Sequence, residues 1–127
     1  MMKRILLVDD EAHVIRVMQH ALEREGYVVD SARNGEQALE KIRQQQPDAM
    51  VVDVQMPRMT GDQLCMQLKD EFPLRNFLIM VCTSRTEAEY RDWSNSFKDL
   101  IFIEKPMSIR VLLHNLAEYF DTQSARQ

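Results

Sequence analysis

The segment ILLVDD, residues 5–10, gives the strongest structural signal in the chain, because a short apolar run stops abruptly at Asp9 and Asp10. Three further apolar runs stop at polar residues in the same way: Met50 to Val52 at Asp53, Phe77 to Cys82 at Thr83, and Ile101 to Ile103 at Glu104 and Lys105. Short apolar runs that alternate with helical patterns are typical of parallel strands joined by helices. The carboxyl ends of such strands meet at one edge of the sheet, where α/β proteins bind their ligands.

The helical segments between these runs complete the fold prediction. The first helix is expected from Ala12 to Glu25, and a fifth strand follows from Tyr27 to Ser31. Three more helices are expected at capping-box patterns that open at Asn34, at Thr60 and near Ser84, and a last helix begins after Ser108. The sequence therefore predicts an α/β protein with a flavodoxin-like, doubly wound, five-stranded parallel sheet in the order 2-1-3-4-5 and five helices.

Length and composition indicate a single folded domain. The chain has 127 residues, of which 45% are hydrophobic, and we expect a domain over residues 1–121 and a short disordered tail over residues 122–127. Lysine and arginine do not cluster on one predicted helix and the net charge is −4, which argues against direct binding to nucleic acid. No apolar stretch approaches the ~20 residues of a membrane span. We expect a cytoplasmic location without membrane contact, and buried thiols at Cys65 and Cys82.

Charge at the predicted sheet edge indicates a metal-dependent chemistry. Asp9, Asp10 and Asp53 supply three negative charges and Lys105 supplies one positive charge. Neighbouring carboxylates repel each other, and hard oxygen ligands suit Mg2+, so one divalent ion would neutralise the site. Asp53 ends the central run and is a candidate nucleophile towards phosphorus, which would give an aspartyl-phosphate.

At this point the chain resembles the receiver domain of two-component response regulators, over residues 3–120. The similarity rests on ILLVDDE, on GYVVDSARNGEQAL, on VVDVQMPRMTG around Asp53, on VCTS ending at Ser84, and on the Lys105-Pro106 pair. The spacing also agrees with single-domain chemotaxis regulators, since Thr83 lies thirty positions after Asp53 and Lys105 lies twenty-two positions after Thr83.

The resemblance implies a role for each matching position. Asp53 would be the phosphoacceptor. Asp9, Asp10 and the backbone carbonyl of Gln55 would hold Mg2+ together with Asp53. Lys105 and the backbone N–H of Ser84 would contact the phosphoryl group.

Two further pairs of positions follow from the same resemblance. Thr83 and Phe102 would form the switch pair, although the family more often has Tyr in place of Phe102. The side chains of Gln55 and Arg85 would tune the lifetime of the phosphorylated state.

Partners are also implied by the resemblance. The phosphoryl donor would be a sensor histidine kinase or a histidine phosphotransfer protein. The output surface would be the fourth helix, the fifth strand and the fifth helix, read by a downstream output domain or protein, with dimerisation on phosphorylation as a further option. The chain would not be a turnover enzyme, because it would catalyse only its own phosphotransfer and a slow self-dephosphorylation.

Two alternatives from other functional classes stay open at the level of sequence. A phosphohydrolase of the haloacid dehalogenase type also uses an aspartyl-phosphate and Mg2+, but it needs a second Asp where this chain has Gln55. A receiver fold that acts as a phosphorylation-independent interaction module is the other alternative. Its partner binding would survive the substitution Asp53→Asn.

Overall fold

The computed structural model describes residues 2–54, 59–83, 100–105 and 108–125. Within these ranges five parallel strands form one sheet in the order β2-β1-β3-β4-β5. The strands are β1 (Arg4–Val8), β2 (Val28–Ala32), β3 (Ala49–Asp53), β4 (Leu78–Thr83) and β5 (Leu100–Glu104). The helices are α1 (Ala12–Arg24), α2 (Gly35–Gln44), α3 (Gly61–Glu71) and α4 (Ile109–Ala125). The predicted doubly wound sheet and its strand order are confirmed.

One predicted helix cannot be compared with the structure. The fourth predicted helix, near Ser84, lies outside the described residues, so α4 corresponds to the fifth predicted helix. The α4 helix continues through Ala125, and the prediction of a disordered tail from Thr122 is therefore wrong for residues 122–125. The Thr122 hydroxyl donates a hydrogen bond to the Glu118 carbonyl at 2.9 Å, which is a contact of the helical turn.

The central strands are buried along their whole length, whereas the edge strand β2 is only partly covered. Every residue of β3 and of β4 is buried. This is the pattern expected for parallel strands covered by helices on both faces of a sheet. The charged residue Asp53, at the end of β3, is buried like the rest of its strand.

Side chains that alternate along the strands form two apolar cores, one on each face of the sheet. One core packs against α1 and α4 and includes Leu7, Val51, Met80, Ile103, Leu112 and Leu116. The other packs against α2 and α3 and includes Leu6, Val52, Val81, Leu39, Leu64 and Leu68. Successive residues of a strand therefore contribute their side chains to opposite cores.

The helix ends agree with the predicted start and stop signals. Thr60 and Gln63 form a reciprocal capping box at the start of α3. Asn34 caps α2 by accepting a hydrogen bond from the Gln37 N–H at 2.9 Å. Gly26 follows α1 with a positive φ of 91°, a conformation that glycine adopts without steric cost.

No helix in the described part of the chain combines the length and the apolarity that crossing a membrane requires.

Candidate functional site

The strand ends bring the predicted site residues to one edge of the sheet. Asp53 is the last residue of β3, Thr83 is the last residue of β4, and Asp9 and Lys105 directly follow β1 and β5. Asp53 lies two residues after Val51, which packs towards α1 and α4, and the same alternation applies to Asp9 and Lys105. These three charged side chains therefore converge on the same face of the sheet.

Asp53 and Lys105 form a direct ion pair. The Lys105 Nζ donates to the Asp53 Oδ1 at 2.9 Å, across 52 residues of sequence. The Asp53 side chain is only 4% exposed, while that of Lys105 is 34% exposed. The ammonium group thus reaches from the rim of the site to a buried carboxylate.

Asp9, Asp10 and Asp53 form an acidic group that could hold a metal ion. One carboxylate oxygen from each residue lies within 4.8 Å of the other two. Asp9 and Asp53 are buried and Asp10 is more exposed. Carboxylate oxygens at this separation, with one side open to solvent, suit Mg2+, which keeps several of its waters. The residues present therefore fit the predicted cofactor.

Burial opposes the charge of Asp9. Removal from solvent raises the pKa of the Asp9 carboxyl group, and the negative charges of Asp53 and Asp10 raise it further. The Glu11 backbone N–H donates to the Asp9 Oδ1 at 2.9 Å and lowers that pKa, as does the charge of Lys105, but the net direction is upward. A cation in the acidic group would relieve this repulsion.

Lys105 shows the opposite balance of effects. Partial burial lowers its pKa, but the hydrogen bond to Asp53 and the charges of Asp53 and Asp9 outweigh that effect, and the pKa is raised overall. The side chain is therefore a cation at neutral pH. It can attract an anionic group that approaches Asp53.

A cavity of about 390 Å³ opens beside the acidic group, between α1 and α4. Its lining includes Asp9, Asp53 and Lys105, together with apolar side chains of α1 such as Val14. Cys82 also lines it, and burial raises the pKa of this thiol to about 12, so the thiol stays protonated and unreactive. Cys65 is buried as well, as predicted.

Thr83 and Phe102, the predicted switch pair, lie on the adjacent strands β4 and β5. Thr83 is 2% exposed, and its backbone carbonyl accepts a hydrogen bond from the Lys105 N–H at 2.9 Å. Phe102 is partly buried against the core on the α2 and α3 face, beside Val81 in register. Thr83 lies two residues after Val81 and so shares that face.

Three predicted site residues fall outside the described residues. These are Gln55, Ser84 and Arg85.

Two residues near the site were not predicted from sequence. Arg33 lies after β2, and its guanidinium Nη2 donates to the Asp10 carbonyl at 3.0 Å. Gly61 begins α3 against the backbone that follows β3, and an added Cβ there would lie 2.8 Å from the Asp53 carbonyl oxygen. A capping box at Thr60 indicates the start of α3, but it does not reveal this close approach.

Comparison with known proteins identifies the family. Residues 5–117 match the family model of the response regulator receiver domain. The alkaline phosphatase synthesis transcriptional regulatory protein PhoP of Bacillus subtilis is 40% identical over 87 residues, which make up 68% of this chain and 35% of PhoP. The chain spans less than half of the length of the curated relatives that it matches.

Solved structures agree with this match. A CheY-like response regulator receiver domain protein from Methanospirillum hungatei has a TM-score of 0.87 and 29% identity, with all of both chains covered. Response regulator TrrA from Thermotoga maritima, solved in complex with Mg2+ and BeF, has a TM-score of 0.77 and 30% identity, and the alignment covers 92% of this chain and 98% of TrrA.

An open parallel sheet with a charged crevice at its carboxyl edge defines a doubly wound α/β protein that binds its ligand at that edge. Within this class, the chain belongs to the response regulator receiver domain family of two-component systems. The predicted resemblance is confirmed.

Proposed function

We propose that the chain accepts a phosphoryl group on Asp53 in the presence of Mg2+. The observation that carries this proposal is the position of Asp53, buried at the end of β3, 2.9 Å from the Lys105 ammonium and grouped with Asp9 and Asp10. Asp9, Asp10 and Asp53 would hold the ion, together with the Gln55 carbonyl that the resemblance implies. When bound, Mg2+ would neutralise charge on the phosphoryl oxygens.

The transfer itself needs little more than position and charge. An Asp53 carboxylate oxygen forms a bond to phosphorus, while the bond from phosphorus to the donor atom breaks and the donor atom keeps the electron pair. Lys105 holds the Asp53 carboxylate and offers its cation to the incoming anionic group. Burial of Asp53 limits the contact of its carboxylate with bulk water.

Phosphorylation would then act on Thr83 and Phe102. A phosphoryl group adds about 1.5 to 2 negative charges and three acceptor oxygens. The Thr83 hydroxyl would donate to one of these oxygens, and Phe102 would turn into the space that Thr83 leaves on the shared face of the sheet. This change would alter β5, α4 and the fourth predicted helix, which form the proposed output surface.

Partners follow from membership of the family. The donor would be a phosphohistidine on a sensor kinase or a phosphotransfer protein. The reader would be an output domain or a separate protein, since the matched curated relatives are longer than this chain. We also propose a cytoplasmic location, which the buried free thiols Cys65 and Cys82 support. The chain would catalyse only its own phosphotransfer and a slow self-dephosphorylation.

Intact-mass measurement after incubation with acetyl phosphate tests this function. The wild-type chain is expected to gain one phosphoryl group with Mg2+ and none after chelation. Asp53→Asn is expected to gain none, whereas Asp70→Asn, which changes an exposed aspartate of α3, should react as the wild type does. A wild-type chain that gains no group under any donor would contradict the proposal and favour the phosphorylation-independent module.

A further inference from the structure

Arg33 connects the acidic loop to the neighbouring strand. It directly follows β2, and its guanidinium Nη2 donates to the backbone carbonyl of Asp10 at 3.0 Å, across 23 residues of sequence. The strand pairing ends just before this contact, with Val8 opposite Ala32 and the Asp9 N–H donating to the Ala32 carbonyl at 3.1 Å. The Arg33 side chain therefore extends the link between β1 and β2 into the loop that holds the predicted metal ligands.

The start of α2 holds the backbone from which Arg33 projects. The Arg33 N–H donates to the Gln37 Oε1 at 2.9 Å, and Asn34 caps the same turn. Gly35 lies against Met59, so closely that an added Cβ would be 2.7 Å from the Met59 side chain. The turn that carries Arg33 is therefore held by the hydrogen bonds at the start of α2 and by the packing of Gly35 against Met59.

The orientation of the Asp10 carboxylate depends on the contacts of the Asp10 backbone. Asp9 has a local restraint on its carboxylate, the hydrogen bond from the Glu11 N–H at 2.9 Å. Among the described residues, none donates a hydrogen bond to the Asp10 carboxylate, which is the most exposed of the three acidic groups. The hydrogen bond from Arg33 to the Asp10 carbonyl is therefore the long-range contact that restrains this residue.

We propose that Arg33 is a positioning residue for the divalent cation. It holds the loop after β1 so that the Asp10 carboxylate stays beside those of Asp9 and Asp53. This inference rests on the proposed function, because it concerns the same metal site. Without Arg33 the ion would have to order the loop when it binds, and part of its binding free energy would be lost.

A second effect of Arg33 has the opposite sign, which makes the inference testable. The guanidinium is a cation bonded to the backbone of Asp10, so its charge alone disfavours another cation beside that residue. If Arg33 acted only through its charge, Arg33→Ala would bind Mg2+ more tightly and Arg33→Lys would bind it as the wild type does. If Arg33 positions the loop, both variants bind Mg2+ more weakly.

Calorimetric titration with Mg2+ distinguishes these cases. Arg33→Ala is expected to weaken Mg2+ binding by about tenfold, at the low end of the ~10–100-fold typical of groups that orient metal ligands. Arg33→Lys should show a smaller loss, because an ammonium can donate to the carbonyl but lacks the planar donor geometry. Arg16→Ala removes the same charge from the exposed face of α1 and should bind as the wild type does.

Two further readouts separate positioning from a loss of fold. The melting temperature of Arg33→Ala should match that of Arg16→Ala, while amide exchange at Asp10 and Glu11 becomes faster. In Arg33→Ala, the Mg2+ concentration that half-saturates phosphorylation should rise by a larger factor, relative to the wild type, than the maximum rate of phosphorylation falls.

Unchanged or tighter Mg2+ binding in Arg33→Ala would overturn the inference. If Arg33→Ala does not fold, Arg33→Lys decides by the same measurement. A wild-type chain that binds no Mg2+ would overturn the proposed metal site, and this inference with it.

Discussion

At the scale of single residues, the site is a balance between burial and charge. Asp9 and Asp53 are both buried at a sheet edge that also contains Asp10, and Lys105 offsets only part of this charge. The raised pKa of Asp9 shows that its ionised form is disfavoured by burial and by the neighbouring carboxylates. The ionised Asp9 carboxylate therefore lowers the stability of the metal-free protein.

Asp9→Asn should stabilise the metal-free protein. Because the pKa of Asp9 is raised above its ordinary 3.8, the folded protein loses stability as the pH rises from 3.8 through the folded-state pKa. Asparagine does not ionise and so avoids this loss. Its side-chain Oδ1 can still accept the hydrogen bond from the Glu11 N–H. Urea unfolding at pH 7 should show a gain of about 1 kcal/mol.

The same variant should lose the stabilisation that Mg2+ gives to the wild type, which at 100 times Kd would be about 2.7 kcal/mol. A metal-free Asp9→Asn protein that is less stable than the wild type would contradict the repulsion inferred for this site.

Lys105→Met should have the opposite effect on the metal-free protein. It leaves the Asp53 carboxylate buried without its ammonium partner, at a cost of about 1–2 kcal/mol after allowance for the partial exposure of Lys105. Because the pKa of Lys105 is raised above its ordinary 10.5, the ion pair contributes fully below that pH and is lost as pH rises through the folded-state pKa.

Urea unfolding from pH 6 to about pH 10 should therefore give a constant difference between wild type and Lys105→Met. Lys69→Met, on α3, provides the matched control and should change stability by less than about 0.5 kcal/mol. A difference that disappears near neutral pH would contradict the ion pair.

Most of the charged site could be predicted from sequence, because the place of a residue at the end of a strand fixes where its side chain lies. Asp9, Asp53 and Lys105 needed only the strand pattern and the alternation of faces. Arg33 could not be predicted in this way, since the reach of a long side chain depends on the conformations of two loops. The role of Gln55 stays a prediction.

At the scale of elements, the start of α3 packs closely against the backbone at the end of β3. The Gly61 N–H donates to the Val54 carbonyl at 3.0 Å, and Gly61 itself begins α3. An added Cβ would lie 2.8 Å from the Asp53 carbonyl oxygen and 2.8 Å from the Val54 Cα, both of which are backbone atoms that cannot turn aside.

Gly61→Ala should lower both stability and the rate of phosphorylation. The displaced backbone holds Asp53, so we expect a loss of about 1–3 kcal/mol, as for other overpacked sites, and slower reaction with acetyl phosphate. Gly26→Ala is the matched control, because Gly26 has a positive φ of 91° but open space around it.

Gly26→Ala should lose about 1 kcal/mol through backbone strain and keep the wild-type phosphorylation rate. Equal rates in the two alanine variants would contradict the link between Gly61 and Asp53.

A second test at this scale concerns the connection between β2 and α2. Lys41 Nζ donates to the Asp30 Oδ1 at 2.7 Å and also to the Ser31 carbonyl. Burial raises the pKa of Asp30, but the bonds from Lys41 and from the Ser31 N–H outweigh it, so the pKa is lowered from its usual 3.8. The stabilisation is therefore present above that value and is lost as pH falls through the folded-state pKa.

Asp30→Asn should cost less than about 1 kcal/mol at pH 7, since both partners are more than a third exposed. The difference from the wild type should shrink below pH 3.8 in chemical denaturation. Asp121→Asn, an exposed change on α4, should show no such trend. A cost that grows on acidification would rule out the assigned ion pair.

The elements themselves were largely predictable, because strand alternation and helix caps are local signals. The C-terminal boundary was not, since the residues after Asp121 include Thr and Ser, which favour helices only weakly. The helix continues there because no glycine or proline stops it and its turns still close, as at Thr122.

At the scale of the whole molecule, the sheet places the charged residues and the predicted switch residue Phe102 on opposite faces. Asp9, Asp53 and Lys105 belong to the face covered by α1 and α4, whereas Phe102 packs on the face covered by α2 and α3. Thr83 ends β4 on the same face as Phe102, two residues after Val81. Under the proposed function, a phosphoryl group at Asp53 would act on the opposite face through the buried Thr83 hydroxyl and would shift that face between two states.

Localisation of the phosphoryl group tests the central claim most directly. The wild-type chain is treated with acetyl phosphate and Mg2+, the acyl phosphate is reduced with borohydride, which converts a phosphorylated aspartate to homoserine, and the peptides are sequenced by mass spectrometry. We predict homoserine at position 53, with Asp9 and Asp10 unchanged and no conversion after chelation of Mg2+. Homoserine at position 9 or 10, or conversion that does not need the metal, would contradict the assignment of Asp53 as the phosphoacceptor.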